Sequence, residues 1–206
     1  MEAQQVTIKR INTKTIQVPI ISTAPLIVHR FSEKAKRAML DAMQGRKTPR
    51  ENKDPEAEYL AAFYRFADEG YGFPSIAFKS AIVGAARYFG KDVKMTELKQ
   101  FIFVDGELGC DLPPQKLVRI EGEPVMREDV VTVGRGGTDL RYRPMFSEWH
   151  ALLTVIYTES QFTLDSVLSL VDAGGLGVGV GEWRPQRNGD FGTYKVDTTK
   201  KVEVIG

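Results

Sequence analysis

The chain of 206 residues carries 28 Lys and Arg against 27 Asp and Glu, so its net charge is +1 and affinity for a polyanion would require local clusters of charge. Its 42% of hydrophobic residues suffices for a one-domain core, and no run of about 18 apolar residues predicts a membrane-spanning helix. One cysteine and two histidines exclude an internal disulfide and a zinc cluster of ordinary spacing, so we expect a cytoplasmic protein with no metal, no cofactor and no membrane partner.

The N-terminal third combines strand and helix patterns. Residues 6–28 are rich in Val, Ile and Thr, which favours a strand, and Pro19 and Pro25 predict that this strand is irregular. Helical patterns follow at 33–43 and 55–67, on either side of a polar stretch. We therefore expect a helical insertion over 31–70 with a loop in its middle.

Residues 73–90, FPSIAFKSAIVGAARYFG, have the clearest helical pattern in the chain. Pro74 and Ser75 predict its start, and Gly90 predicts its end. Helical spacing gathers Phe78, Ala81, Ile82, Ala85, Ala86 and Phe89 on one side and Lys79, Ser80, Gly84, Arg87 and Lys91 on the other. The second side has only positive charges, which is typical of a solvated helix face and also of a surface that binds an anion.

A β-hairpin is predicted over 125–147. Two β-rich arms, 129–133 and 139–146, flank the sequence GRGG, so the tip falls near Arg135. Arg141 and Arg143 alternate with Tyr142, and cations beside an aromatic ring suit stacking on bases and pairing with phosphates. An exposed ribbon whose arginines keep an edge soluble has the same pattern.

The C-terminal part predicts a buried strand over 149–157, a helix and a last strand. Thr163 can cap that helix, and Gly174 predicts its end. The order strand, helix, strand, strand, helix, strand predicts an α+β fold, ferredoxin-like or RRM-type, in which two helices cover one face of an antiparallel sheet. We expect a single domain over 1–206.

Residues 175–196, GLGVGVGEWRPQRNGDFGTYKV, contain six glycines, which suit either a close approach to phosphate or a tight corner of the backbone. The glycines alternate and follow a predicted helix, so they do not form a dinucleotide-binding G-x-G-x-x-G turn. The sequence also lacks a P-loop motif and the context of a serine nucleophile elbow.

In this order, 73–87, 130–146 and 175–196 resemble the RAMP superfamily, and within it the backbone subunits that polymerise along guide RNA in CRISPR effector complexes. The resemblance implies a module that lays a single strand across its sheet, grips it with the first helix and the glycine-rich loop, and bends it with the hairpin, called the thumb. It implies that Lys79 and Arg87 contact the nucleic acid backbone. It also implies that Gly177, Gly179, Gly181 and Gly192 let the loop pack closely against a strand.

One departure from that family concerns cleavage. The loop over 23–37 lacks an aspartate at the place where RNA-cleaving backbone subunits carry one, and offers Ser32 and Glu33 instead. Metal-dependent cleavage of a target is therefore not expected.

We expect a non-catalytic subunit for antiviral defence that binds single-stranded nucleic acid, with RNA favoured and DNA left open. Copies of the chain would assemble head to tail into a filament, with other ribonucleoprotein subunits as further partners. Residues 30–50 hold seven Lys or Arg against two acidic residues, and such a patch binds phosphates. The residues expected to bind are His29, Arg30, Lys34, Lys36, Arg37, Lys79, Ser80, Arg87, Arg135, Arg141, Arg143, Trp183, Arg184 and Arg187.

Two alternatives stay open. The first is a metal-independent RNA endonuclease of the RAMP type, with His29 as general base and Lys34 or Lys36 stabilising the transition state. The second is a phage or scaffold assembly protein without nucleic acid, whose hairpin would be an oligomerisation arm.

Overall fold

The computed structural model describes residues 10–46, 52–133 and 136–206. Its strands are Thr13–Ser22 (β1), Leu26–Ile27 (β2), Tyr64–Arg65 (β3), Tyr71–Pro74 (β4), Ile102–Asp105 (β5), Glu107–Leu108 (β6), Lys116–Arg119 (β7), Pro124–Val133 (β8), Gly137–Phe146 (β9), His150–Thr158 (β10), Tyr194–Val196 (β11) and Glu203–Val204 (β12). Its helices are Glu33–Met43 (α1), Pro55–Ala61 (α2), Ser75–Gly84 (α3), Met95–Phe101 (α4) and Leu164–Gly177 (α5), with 3-10 turns at Ala85–Tyr88 and Pro185–Arg187.

The central sheet has the ferredoxin-like strand order. Its path is β11-β1-β10-β5 and every pair in it is antiparallel. In chain order these strands are the fourth, first, third and second, with α3 between the first two and α5 between the last two. Buried side chains of β1 and β10, such as Val18 and Val155, pack in one core with those of α3 and α5, such as Ile82 and Val171. The predicted α+β class is confirmed.

Two smaller sheets extend this core. One has the order β3-β4-β7-β6, and the other has the order β2-β9-β8. Strands β8 and β9 pair from Pro124 opposite Phe146 to Val133 opposite Gly137, so the sequence pattern of the hairpin is confirmed. Arg135, expected at its tip, lies outside the described residues.

Pro19 does not break the first strand as its position suggested. Strand β1 continues through Pro19, and the interruption falls on its neighbours, because β11 pairs with 20–22 and β12 pairs with 16–17. The missing backbone donor of Pro19 lies in the gap between these two strands, where its carbonyl accepts a bond from the amide of Asp197, 2.9 Å. Pro25 lies between β1 and β2.

Two predicted helix ends are wrong. Helix α2 ends at Ala61 because Phe63 and Phe66, each 4% exposed, enter the core, and Tyr64–Arg65 pairs with β4 instead. Helix α5 continues past Gly174 to Gly177. A Cβ at Gly174 would lie 2.8 Å from the backbone of Ala81, so the glycine allows α5 to cross α3 closely rather than ending the helix.

Over the three described ranges, we find no helix with the length and apolarity needed to cross a membrane.

Candidate nucleic-acid interface

The first half of α3 and the loop over 178–193, hereafter the glycine-rich loop, line one cavity of about 410 Å³. We call this cavity the groove. Its lining includes Pro74 and, from α3, Ile76, Ala77 and Ser80. The loop contributes Gly179, Gly181, Arg184 and Gln186, and other segments contribute His29, Tyr64 and Gln115. The two elements that the sequence singled out separately therefore meet at one surface.

The glycines of the loop serve mainly the protein's own packing. Gly179, Gly181 and Gly192 have φ of 68°, 80° and 67°, a region that side chains with a Cβ rarely adopt. A Cβ at Gly181 would lie 2.6 Å from the carbonyl oxygen of Ile27 in β2, and one at Gly192 would lie 1.7 Å from that of Val180. The tight corner, rather than a phosphate, explains these positions.

Gly177 and Gly179 make different contacts. A Cβ at Gly177 would lie 2.0 Å from the hydroxyl oxygen of Tyr88, and one at Gly179 would lie 2.9 Å from Pro185. Neither contact is with a strand, so the expected packing of loop against strand holds for Gly181 alone among the four glycines named from the family resemblance.

The start of α3 offers backbone donors to the groove. Pro74 is the N-cap residue, and no side chain caps this end of the helix. The first-turn residues Ile76 and Ala77 line the groove, and Ile76 is 62% exposed. Uncapped N–H groups and the helix dipole attract anions, so this end of α3 suits a phosphate or another acceptor.

His29 and Glu182 form the polar wall of the groove. Nδ1 of His29 lies 3.7 Å from Oε1 of Glu182, and the amide of Glu182 donates to the carbonyl of Ile27 at 3.0 Å. Interaction with His29 holds the pKa of Glu182 below its usual value, with further lowering by Arg143 and Arg184. Glu182 is thus a carboxylate at neutral pH, and its negative charge partly offsets the positive charge of Arg143 and Arg184.

An aromatic and cationic stack joins the glycine-rich loop to the hairpin. The rings of Trp183 and Phe191 contact each other edge to face, with centroids 5.9 Å apart. The guanidinium of Arg127, from β8, lies 5.3 Å from the Trp183 centroid and 5.0 Å from that of Phe191. Arg143, from β9, also lies 5.3 Å from Trp183. Cation–π contacts of this kind fix the loop against the base of the hairpin.

The cationic side predicted for 75–89 does not exist as one surface. Lys79 donates to the carbonyl of Lys99 at 2.9 Å and its ammonium lies 3.9 Å from the ring centroid of Phe103, outside the groove. Burial lowers the pKa of Lys79. Gly84 is buried against Val178, and Arg87 lies exposed in the 3-10 turn after α3, also outside the groove lining. After Gly84 the chain continues as a 3-10 turn, and its tighter winding separates residues that a continuous α-helix would align.

Two arginines expected to bind nucleic acid are engaged within the protein. Arg30 bonds to Asp111 through Nε and donates from Nη1 to the carbonyl of Ala61 at 3.2 Å. Arg143 is only 2% exposed and donates to Asp129 at 2.7 Å. The alternation along β9 correctly predicted that Arg143 and Arg141 share one face of the strand. At Arg143, however, that face packs against Trp183 of the glycine-rich loop rather than facing solvent.

The remaining expected residues fall in three places. Ser80 and Arg184 line the groove, and Arg184 also donates to the carbonyl of Gly181 at 3.0 Å. Arg187 is exposed in the turn of the loop. Exposed side chains on α1 are Lys34, Lys36 and Arg37, and half-exposed Arg141 lies near them beside a second cavity.

Sequence reasoning missed Arg127, Tyr64 and Gln115. Arg127 and Asp129 are two positions apart along β8, and this spacing was a signal that both lie on one face of the hairpin. Tyr64 and Gln115 come from segments far apart in the chain, and no local pattern links them to the groove.

No protein-family model matches the chain, and no curated protein matches its sequence. Among solved structures, the chain is similar to Cmr6 from Pyrococcus furiosus, with 10% identity and a TM-score of 0.41. The match covers 91% of this chain and 100% of Cmr6. The ferredoxin-like fold follows from the strand order itself.

Proposed function

We propose that this protein binds single-stranded nucleic acid, with RNA favoured, as a non-catalytic subunit of a ribonucleoprotein. The observation that carries the proposal is the groove, in which the open N-terminus of α3, the glycine-rich loop and His29 face one another. The order of the three sequence stretches that resemble RAMP backbone subunits supports the same function.

The chemistry of the groove suits an unpaired strand. Backbone N–H groups of α3 and the guanidinium of Arg184 are donors for phosphate oxygens, while the amide of Gln186 can pair with base edges. Gln115 already donates from Nε2 to Asp111 at 2.8 Å, which leaves its side-chain oxygen as an acceptor. Tyr64 adds an aromatic side chain to the wall, and bases are available for such contacts only when they are not stacked in a duplex. Phosphates also attract the exposed cations of α1, of which Lys34 lines a cavity together with His29.

We further propose that copies assemble head to tail along the strand. The nearly balanced charge of the chain supports this, because subunits do not repel one another strongly. The hairpin supports it too: β8 pairs only with β9 in the described residues and so presents a free edge.

Filter binding tests the function directly. Single-stranded RNA, single-stranded DNA and duplex of equal length are titrated at several salt concentrations. Tighter binding of the single strands at every salt concentration is expected. Equal affinity for all three would reduce the interaction to nonspecific charge, and no retention of any strand would overturn the proposal.

A second candidate function is cleavage of RNA without a metal. Its support is the pair of His29 and Glu182, since a carboxylate beside an imidazole orients it as a proton acceptor. Labelled RNA is incubated with pure protein in EDTA. Cleavage at one phosphodiester that is lost in His29→Ala would favour the enzyme, whereas intact RNA with unchanged binding favours the non-catalytic subunit.

A further inference from the structure

A second cavity of about 410 Å³ lies between α1, α2 and β9. We call it the helical pocket. Small apolar side chains line part of it, Ala35 and Ala38 from α1 and Ala57 and Ala61 from α2. Charged side chains line the rest, namely Arg30, Lys34, Lys53, Asp54, Glu58, Asp139, Arg141 and Arg143. Phe31, 49% exposed, contributes an aromatic ring. Pockets of a few hundred cubic ångströms that combine apolar surface with polar groups are typical of small-ligand sites.

Among the charged residues of this lining, Arg143 is the buried one. It lines the pocket and is 2% exposed, yet no hydrogen-bond acceptor for its Nε lies among the residues that the structure describes. Its Nη2 donates to Asp129 at 2.7 Å, and its Nη1 lies 3.6 Å from Glu182. Buried donors are almost always paired, so an unpaired Nε–H indicates an acceptor supplied from outside the chain.

The surroundings restrict what that acceptor is. Asp129 and Glu182 already balance the charge of Arg143, so a second full anion gains little there. The alanines of α1 and α2 leave apolar surface in the cavity, which a strongly hydrated group such as phosphate covers poorly. A flat, uncharged ring with carbonyl or ring-nitrogen acceptors fits both conditions, and the aromatic ring of Phe31 gives it a stacking surface.

We infer that the helical pocket binds a nucleobase through Arg143. The inference rests on the proposed function, since His29 lines both the groove and the helical pocket and a strand in the groove therefore passes its entrance. Two sources supply the same chemistry: a base of the bound strand, or a free nucleotide.

Two matched variants on α1 test the pocket. Ala38→Leu adds bulk to its wall, whereas Ala42→Leu adds the same bulk on exposed surface outside the lining. Helix α1 buries none of its residues, so both variants should keep the wild-type melting temperature. Each is compared with the wild type in two binding assays.

The first assay titrates uridine and adenosine 5′-monophosphates by calorimetry, with ribose 5-phosphate as the control that lacks a base. The second measures anisotropy of a labelled single-stranded RNA and of the same strand carrying abasic sites. If the pocket binds the base of a free nucleotide, Ala38→Leu weakens binding of the monophosphates at least tenfold, and ribose 5-phosphate does not bind. If the pocket binds a base of the strand, Ala38→Leu lowers the affinity for the normal strand at least tenfold and leaves the affinity for the abasic strand unchanged.

The pocket inference is overturned if Ala38→Leu and Ala42→Leu behave alike in both assays. Strand binding that persists in that case leaves the proposed function intact. If the strand does not bind the wild-type protein, the proposed function is refuted. The monophosphate titration alone then tests whether the helical pocket binds a base.

Discussion

Arg143 and Asp129 form an ion pair diagonally across the two strands of the hairpin, with Nη2 and Oδ2 2.7 Å apart and side chains only 2% and 4% exposed. The same carboxylate accepts from Nε of Arg127 at 2.9 Å. Asp129 thus holds both arginines that cover Trp183, and it couples the hairpin to the glycine-rich loop.

Asp129→Ala should lower the free energy of unfolding by about 3–5 kcal/mol, because it leaves the buried Arg143 without its closest counter-charge. Denaturant unfolding measures this. Asp139→Ala is the matched control on the same hairpin; its carboxylate is 33% exposed and pairs with Lys53, so a loss below about 1 kcal/mol is expected. Similar losses in the two variants would contradict the assigned role of Asp129.

Gly181→Ala should cost more stability than its backbone angle alone explains. Gly90 has a similar φ of 65° with open space around it, so Gly90→Ala measures the cost of the angle, about 1–2 kcal/mol. At Gly181 the new Cβ also meets the carbonyl of Ile27, which cannot shift without moving β2, and we expect more than about 3 kcal/mol. Equal costs would mean that the loop does not depend on this close approach.

Salt dependence should separate cations inside the groove from those outside it. Arg184→Gln should reduce the slope of log affinity against log salt concentration by about 0.7, the value of one phosphate contact on a single strand. Lys79→Gln should leave the slope unchanged, since its ammonium is engaged by Lys99 and Phe103. A reduced slope in Lys79→Gln alone would place the strand on the other side of α3.

Tyr194→Phe should match or exceed the wild type in stability at neutral pH. Tyr194 is 1% exposed, and its hydroxyl has no hydrogen-bond partner among the described residues; removing it saves a desolvation cost of about 1 kcal/mol. Burial raises the pKa of Tyr194, so the unfolded chain loses this proton first as pH rises. Wild-type stability should therefore fall from about pH 10 upward more steeply than that of Tyr194→Phe in a series of unfolding curves. Parallel curves would show that Tyr194 does not ionise differently in the two states.

Local patterns in the sequence were sufficient for much of the fold. The cap at Thr163, the start of α3 and the pairing of the hairpin each depend on residues a few positions apart, and the structure confirms them. The six-element order then led to the ferredoxin-like topology, since short connections leave few other arrangements.

The site was less predictable because its geometry depends on distant segments. Alternation places Arg141 and Arg143 on one face of a strand but does not say whether that face meets solvent or protein. Lys79 could be assigned to a side of α3, but its engagement with Phe103 depends on how β5 packs beside the helix. The groove itself joins His29, α3 and residues near 180, and only the tertiary structure brings these together.

The central claim is that an unpaired strand lies in the groove, and site-specific cross-linking tests it most directly. A photoreactive benzoylphenylalanine replaces Ile76, 62% exposed at the groove, or Val204, 59% exposed on β12 and outside it. Labelled single-stranded RNA should cross-link at position 76 and not at 204, and unlabelled single strand should compete while duplex should not. Equal labelling at both positions, or labelling at 204 alone, would contradict the claim.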